Sequence, residues 1–486
     1  MAEIPRLVPL TVTAHAESHG RFASAFAPRF FTGLLLGLVW LGPAWWDARF
    51  LYGMATWDAL MLVFWYLDRR RLPEPQEISV SRIWFEPLSQ GAESPVAVEI
   101  SQPGGVPIDV SLEDDVPASL SSQLPALTAR VLPRRGPPLE RGLDDGAARA
   151  TYSVRPAGRG DVRIGRLSLR YQSPLKLAER WASADLAQTV RVYPNFQEAK
   201  RQTFYLMRSR QIELEKRFKR QPGMGREFES LRDYRPGDEV RDICWTATAR
   251  RGKPISKVYR PERSQSVVIV VDDGRLMLTR VNPGQEPDSH SSGALSPVTL
   301  TKLDYAVTAA LSLAQVALYS GDSVGLLAYG RKPHARLSAA RGGSHLRAFV
   351  EQLATVQGEL LEADHARAAD LLLAGQKRRS LVVWLTDLAE TAATPEVIES
   401  ASRLLKRHLV LFVAIGQPEL PQLLARRPES VEAMYRYVAA AEMVQRRELL
   451  LRQLREQGAL TAELLPGKLA TGIVNQYLEI KERSLL

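Results

Sequence analysis

The sequence predicts a multidomain chain: an N-terminal transmembrane helical hairpin, an antiparallel β-sandwich, then a doubly wound α/β sheet. Three observations predict it. Two apolar runs lie close together near the start, short alternating segments broken by Pro, Gly and Asp follow, and four apolar strands then alternate with helical patterns. At 486 residues the chain has material for about two or three folded units. The expected divisions are a flexible lead at 1–28, the hairpin at 29–71, the sandwich at 76–194, a basic connector at 195–263, and the α/β unit with C-terminal helices at 264–486.

Phe30 to Trp46 carries no charge, Asp47 and Arg49 interrupt, and Phe50 to Leu67 is apolar again apart from Asp58. Each run sits at the lower limit of the roughly 17 to 25 residues that cross a bilayer. Trp40, Trp45, Trp46, Trp57, Trp65 and Tyr66 supply rings suited to the membrane interface. Arg21 and Arg29 precede the first run and Arg69, Arg70 and Arg71 follow the second, so the positive-inside rule puts both termini in the cytoplasm. The expectation is an inner-membrane protein with two spans, in contact with lipid through residues 30–67. The first 28 residues show no clear periodicity.

From Gln76 to Pro194 the pattern turns to strands: Val96–Ile100, Ile108–Leu112, Ala150–Val154, Val162–Leu169 and Thr189–Tyr193. Short strands with turn signals predict a small antiparallel sandwich. Arg159-Gly160-Asp161 reads as a hairpin turn. No catalytic spacing occurs here, so the region reads as a spacer or docking module.

The formal charge of +10 is concentrated: Arg201 to Arg263 holds 17 Lys plus Arg against 9 Asp plus Glu, a net +8. Its carboxylates (Glu227, Glu229, Asp233, Asp238, Glu239, Asp242) are interleaved with arginines, the pattern of internal ion pairs. An acidic protein or a membrane face is the other reading of a basic band. No nucleic-acid module is visible, and nucleic acid is not an expected partner. The single cysteine, Cys244, excludes an intrachain disulfide and a multi-cysteine zinc site, and reads as a half-buried thiol.

Within this band Gly225, Glu227, Phe228, Leu231, Arg232, Tyr234, Pro236, Gly237, Asp238, Arg241, Ile243, Trp245, Ala249 and Arg250 form a dense pattern of charge and fixed aromatics, outside any obvious helix or strand periodicity. An apolar strand ending in Asp272 follows. The pattern resembles the bacterial DUF fifty-eight family, membrane-tethered proteins with a domain similar to von Willebrand factor A. The resemblance implies a von Willebrand factor A-like α/β unit, and a partner: such proteins are commonly linked with MoxR-type AAA+ ATPases. Arg232, Asp238, Arg241 and Trp245 are expected mainly to join the signature to the sheet.

Val267–Val271, Val324–Ala328, Leu381–Leu385 and Leu409–Ala414 are the apolar strands of that unit. Helical patterns run over Lys302–Tyr319, Ser344–Val356, Ala363–Ala374 and Pro395–Leu405, the last behind Thr394 with proline at the first helical position. Buried strands alternating with helices imply a mostly parallel sheet, with ligands beyond the carboxyl ends of the strands. Ser430–Gln457 is a long helix with Arg446, Arg447, Arg452 and Arg455 as a solvated face, and Leu469–Lys481 a closing helix.

The carboxyl-end rule gives the candidate site. One strand ends in Asp272-Asp273 and another in Thr386-Asp387. In von Willebrand A domains this edge holds a metal-ion-dependent adhesion site, built on Asp-x-Ser-x-Ser, a loop Thr and a later Asp. By that resemblance Asp272 matches the first Asp and Asp387 the last, while the serine positions are Gly274 and Leu276, which offer no oxygen. Glu362 or Asp364 could replace the loop threonine. Two readings stay open: Mg²⁺ or Mn²⁺ on Asp272 and Asp387, or no cofactor, with both carboxylates capping helices and pairing with arginine.

Enzyme motifs fail. No Walker A loop occurs. Gly321-Asp-Ser-Val-Gly325 spells a nucleophile elbow, but a helix precedes and a strand follows it, the reverse of what that motif requires, so Ser323 reads as a turn residue. His15, His19, His290, His334, His345, His365 and His408 lack ligand spacing. The expected function is a non-enzymatic membrane-anchored adaptor that binds a cytoplasmic protein through Asp272, Asp273, Asp387, Arg232 and Arg241. A metal-dependent hydrolase using Asp272 and Asp387 is the alternative. The long loop Thr279 to Thr299 reads as a lid or an insertion.

Overall fold

The computed structural model describes residues 11–18, 24–103, 106–120, 127–132, 147–195, 227–235, 238, 240–260, 265–281, 299–388 and 395–483. They fall into two compact units that divide between Tyr193 and Pro194.

In the first unit an antiparallel path runs in the order Leu127–Val131, Ile108–Asp114, Leu167–Gln172, Ala178–Ala184, Thr11–Ser18, Ser79–Trp84, Ser94–Ser101, Ala148–Val154. Thr11–Ser18 lies in its middle, so the lead expected to be flexible supplies a strand. Thr11 to His15 pair with Ser79–Trp84, and Ala16 to Ser18 pair with Ala178–Ala184. Val12, Ala14 and Ala16 alternate toward the core, but only Ala16 is fully buried and two of the three are alanines, so the alternation is weakly apolar and cross-strand hydrogen bonds supply much of the order. The two terminal strands of the path approach each other, and one apolar core fills the inside. The expected sandwich is therefore one continuous path around one core, with Gly160–Ile164 and Gln188–Val192 as a separate ladder.

The run 162–169, read as one strand, is two: Gly160–Ile164 and Leu167–Gln172. Gly165 separates them. Its N–H donates to the Asp115 carbonyl at 2.9 Å, and a Cβ there would lie 1.9 Å from the Asp115 carboxylate. Asp161 of the Arg-Gly-Asp tripeptide accepts from Arg191 Nε at 2.6 Å across this ladder.

The apolar runs form two touching arms. The first comprises the helix Pro28–Leu36, the 3-10 segment Gly37–Trp40 and the short helix Leu41–Ala44; the second is the helix Phe50–Arg71. Trp57 Nε1 donates to the Gly33 carbonyl at 2.9 Å, and Trp40 stacks on Phe50. Among the described residues, the helical stretch Phe50–Glu77 is the one long and apolar enough to cross a membrane. The first arm, expected as a span of its own, begins with a 9-residue helix and then tightens into 3-10 geometry ahead of Gly42-Pro43, where proline has no N–H for the helical ladder.

The end of the long helix is fixed to the β-structure. Asp68 is 2% exposed and accepts from Ser173 Oγ at 2.7 Å on both oxygens, from Ala178 N–H at 3.0 Å and from Leu177 N–H at 3.2 Å. Trp65 packs on Phe26, and Arg69 Nε donates to Ser24 Oγ at 3.0 Å.

In the second unit a six-stranded sheet runs Pro333–Ala340, Ser323–Tyr329, Ser266–Asp272, Leu381–Thr386, Leu409–Ile415, Leu460–Leu464. All neighbours are parallel except the first pair. The central strands are the expected apolar ones, buried along nearly their whole length. Both edge strands lacked the continuous apolar run of the central ones: Pro333-His-Ala-Arg-Leu-Ser-Ala-Ala340 is largely exposed, and Leu460–Leu464 is half-buried. Helices Lys302–Tyr319, Gly343–Thr355, His365–Gly375, Pro395–Leu405, Glu419–Ala425, Val431–Glu456 and Leu469–Glu482 complete the unit. Thr394, expected to cap its helix, lies outside the described residues.

Gly225, Pro236 and Gly237 of the signature also lie outside the described residues. The rest of the signature is more regular than the sequence suggested. Glu227–Asp233 pairs antiparallel with Ile255–Arg260, and the helix Trp245–Arg251 lies between them. Gly252 ends that helix at φ 64°, the left-handed conformation that favours glycine.

Candidate functional site

Register brings the predicted carboxylates together. Val271 pairs with Leu385, so Asp272 and Thr386 stand side by side at the carboxyl edge of the two central strands. Thr386 Oγ1 donates to Asp272 Oδ2 at 2.6 Å, and the Gly274 N–H donates to Asp272 Oδ1 at 2.8 Å. Gly274 permits this approach: a Cβ there would meet Ala363 at 3.0 Å and Asp272 Oδ1 at 3.1 Å. Burial pushes the Asp272 carboxyl above the usual carboxylate range, and the Asp387 charge adds to the rise.

Asp387 is 1% exposed and held by two cations. Lys302 Nζ donates to its Oδ2, and Arg447 Nη2 to its Oδ1 at 3.3 Å. Arg447 also donates from Nη1 to Glu463 Oε1 at 2.9 Å. Lys302, the first residue of the helix Lys302–Tyr319, is 0% exposed. Burial pulls its ammonium below the ordinary lysine value, and Asp387 opposes that loss. Its placement follows from the insertion before it. Arg280–Val281 and Leu300–Thr301 pair antiparallel, so the loop from Thr279 leaves and returns at one point, and the Lys302 N–H donates to the Thr279 carbonyl at 3.0 Å. Residues 282–298 of that loop lie outside the described residues.

Arg447 was read with Arg446, Arg452 and Arg455 as a solvated face. It is 2% exposed, because the long helix turns that one position onto the sheet edge. Arg446 and Arg452 instead make exposed pairs along the helix with Glu442 and Glu456.

A second cluster lies beside the first. Asp273 is 0% exposed, and its Oδ2 lies 2.7 Å from His334 Nδ1. His334 Nε2 lies 2.7 Å from Glu359 Oε1, and Glu359 Oε2 accepts the Arg331 N–H at 3.2 Å. The Glu359 N–H donates to the Asp273 carbonyl at 2.8 Å, and the Arg275 N–H to the Leu361 carbonyl at 2.9 Å. Burial pushes Asp273 up to about 6, against the pull of His334. Burial works against the His334 charge too, but its two carboxylate neighbours outweigh it and raise the imidazole above its ordinary value. The Arg331 N–H and then His334 hold Glu359 below the usual range. The loop so fixed presents Leu360 at 79% exposure and Leu361 at 48%.

Asp272, Asp273 and Asp387, expected to touch a partner, therefore do not present their side chains: all three are buried, Asp272 and Asp387 are engaged on both oxygens and Asp273 on Oδ2, while Asp273 Oδ1 has no hydrogen-bond partner among the described residues. Arg232 donates to Asp238 at 2.7 Å within its own hairpin, and Asp238 accepts the Arg235 N–H at 3.0 Å. The backbone of Arg235 and then Arg232 hold Asp238 below the usual carboxylate range. Arg241 is exposed and Trp245 is 66% exposed, so that ring is no buried anchor. Asp364 caps the helix His365–Gly375, and Glu362 lies 3.6 Å from Arg275. His365 lies 2.7 Å from the Tyr329 hydroxyl, which also accepts from Trp384 Nε1 at 2.7 Å. Ser323 opens its strand at the opposite end of the sheet.

A divalent ion does not fit the donors of the first cluster. Both oxygens of Asp272 and both of Asp387 already accept hydrogen bonds, and an ammonium and a guanidinium stand against Asp387. Among the described residues no group of three His, Cys, Asp or Glu side chains is arranged to hold a metal.

Residues 230–424 match the profile of a family described as "Protein of unknown function DUF58". Uncharacterized proteins of Mycobacterium bovis and of two Mycobacterium tuberculosis strains are each 26% identical over 207 residues, which is 42% of this chain. The chain spans 59% of the length of these curated relatives. Among solved structures, the conserved hypothetical protein BatB from Bacteroides thetaiotaomicron is 15% identical, over 45% of this chain and 100% of that one, with a TM-score of 0.31. An aerotolerance-related membrane protein from Bacteroides fragilis is 13% identical, over 44% and 99%, with a TM-score of 0.29.

Proposed function

We propose, from the match of residues 230–424 to the DUF58 family model, that the chain is a non-enzymatic adaptor held at the cytoplasmic membrane. Its von Willebrand factor A-like unit docks a cytoplasmic protein, a MoxR-type AAA+ ATPase by the family resemblance. The helix Phe50–Arg71 anchors it, with the first arm packed alongside as the second half of a hairpin, and Asp68 transmits that position to the β-structure.

One observation carries this reading. At the edge where such sheets bind ligands, Asp272 and Asp387 are satisfied internally on both oxygens and Asp273 on one, while Leu360 and Leu361 project from a loop pinned by Glu359. Buried, paired groups suit architecture, and exposed leucines on a fixed loop suit protein contact. A hydrolase on Asp272 and Asp387 has no such support.

The test is co-purification of the tagged full-length protein from its own membranes in mild detergent, wild type against Leu360→Asp/Leu361→Asp. Both positions are exposed, so the fold should survive. A stoichiometric AAA+ ATPase lost in the variant supports docking at this loop. Equal recovery of the ATPase by both forms moves the contact elsewhere, and no ATPase with either form contradicts the partner.

A further inference from the structure

We propose that Lys302 supplies the permanent cation of the sheet edge, in the place where the von Willebrand A resemblance leads one to expect a divalent ion, and that this edge is metal-independent.

The geometry has four parts. First, Lys302 Nζ sits on Asp387 Oδ2, the carboxylate matched by resemblance to the last metal ligand, and both side chains are buried. An aliphatic stem that brings one positive charge into a closed site does the electrostatic work of a bound ion, with no entry path and no affinity to saturate. Second, the other oxygen of Asp387 is taken by Arg447, which is itself tied to Glu463. A metal would have to displace one cation and stand beside the other. Third, Asp272 is filled from within the protein by Thr386 and the Gly274 N–H. Fourth, the first hydroxyl position of the resemblance is Gly274, where even a Cβ would crowd Ala363 and Asp272. A serine cannot be restored there without moving the loop.

The position of the lysine is itself costly. It lies at the first turn of a helix, where the backbone dipole disfavours a positive charge. Asp387 offsets this, and so does Asp304, which closes the capping box with Thr301 at the same turn. A buried ammonium in such a place is retained only if its carboxylate partner is always present, which binds helix and strand end into one unit.

The experiment uses the full-length protein in detergent and Mn²⁺ as the probe. Free Mn²⁺ is counted by EPR after equilibration with the metal-stripped chain, and thermal midpoints are read in EDTA and in millimolar Mn²⁺. Wild type is expected to retain no stoichiometric Mn²⁺ and to keep the same midpoint in both. Lys302→Met, which keeps the stem and removes the charge, is expected to lower the midpoint by about 5 °C or more. One Mn²⁺ per chain in wild type, released by Asp387→Asn, would overturn the proposal. So would a Lys302→Met midpoint equal to wild type. If Lys302→Met does not accumulate folded, the ammonium is essential as proposed, and the wild-type Mn²⁺ count still decides whether a metal shares the site.

Discussion

Lys302 and Asp387 are 85 residues apart in sequence and meet as a buried ion pair at the carboxyl edge of the sheet. The contact joins the start of one helix to the end of a central strand, and Arg447 adds a second helix to the same carboxylate. This junction orders the face on which a partner would sit, and it does so without exposing a reactive group.

Arg447 should therefore behave unlike the arginines around it. Removing one partner of a buried pair leaves an uncompensated charge, and Arg447→Met is expected to cost about 3–5 kcal/mol. Arg446→Ala, on the exposed side of the same helix, should cost less than about 0.5 kcal/mol. Thermal unfolding of the two variants, followed by the near-UV signal of the tryptophans, checks the contrast. Equal effects would contradict the burial of Arg447.

The His334 bridge predicts a pH dependence with a definite sign. Its folded value lies above the ordinary histidine value of about 6.5. The native state thus holds the proton more tightly, and the contribution is full below about pH 6.5 and lost as pH rises through the folded value. Asp273, raised by burial to about 6, has the same sign, but its contribution is lost between about pH 4 and 6, below the window of His334. Glu359 is lowered and stays ionised throughout this window. Lys332 and Asp272 are other charged groups acting on the cluster, and Arg331 acts through its backbone N–H. Amide exchange at Arg331 and Glu359, corrected for intrinsic rates, should quicken between pH 6.5 and 9. His334→Gln should abolish that dependence. A wild-type rate flat over this range would exclude the bridge as a latch.

Asp68 predicts a mechanical effect at the membrane anchor. Asp68→Ala leaves the Ser173 hydroxyl and the Leu177 and Ala178 N–H groups without their shared acceptor, at a cost of about 3 kcal/mol. Loosening of the helix end should expose Arg69, Arg70 and Arg71 to trypsin in detergent. Identical digestion of the variant and wild type would mean that the anchor is held elsewhere.

The sequence made the central architecture readable where burial and periodicity coincide. Val267–Val271 and Leu381–Leu385 are buried on both faces and were visible as unbroken apolar runs, and the carboxylates that end them gave the site. Thr11–Ser18 was hard to see because its inward face is only Val12, Ala14 and Ala16, a short and weakly apolar alternation backed by main-chain pairing. Lys302 and Arg447 were missed for a different reason. A lysine at a helix start and one arginine among four carry no local sign of burial; only the fold, by setting Asp387 between them, makes them part of the site. His334 was likewise dismissed for want of ligand spacing. Its partners come from a strand end and a loop, 61 and 25 residues away.

The most direct test of the docking account is a photo-crosslinking amino acid placed at Leu360 in the full-length protein, irradiated in native membranes. The account predicts a crosslink to an AAA+ ATPase from Leu360, and none from the same probe at Thr355, which ends a helix preceding the loop. A probe at Leu360 that captures no protein, while the ATPase co-purifies with the chain, would contradict the placement of the contact at the carboxyl edge.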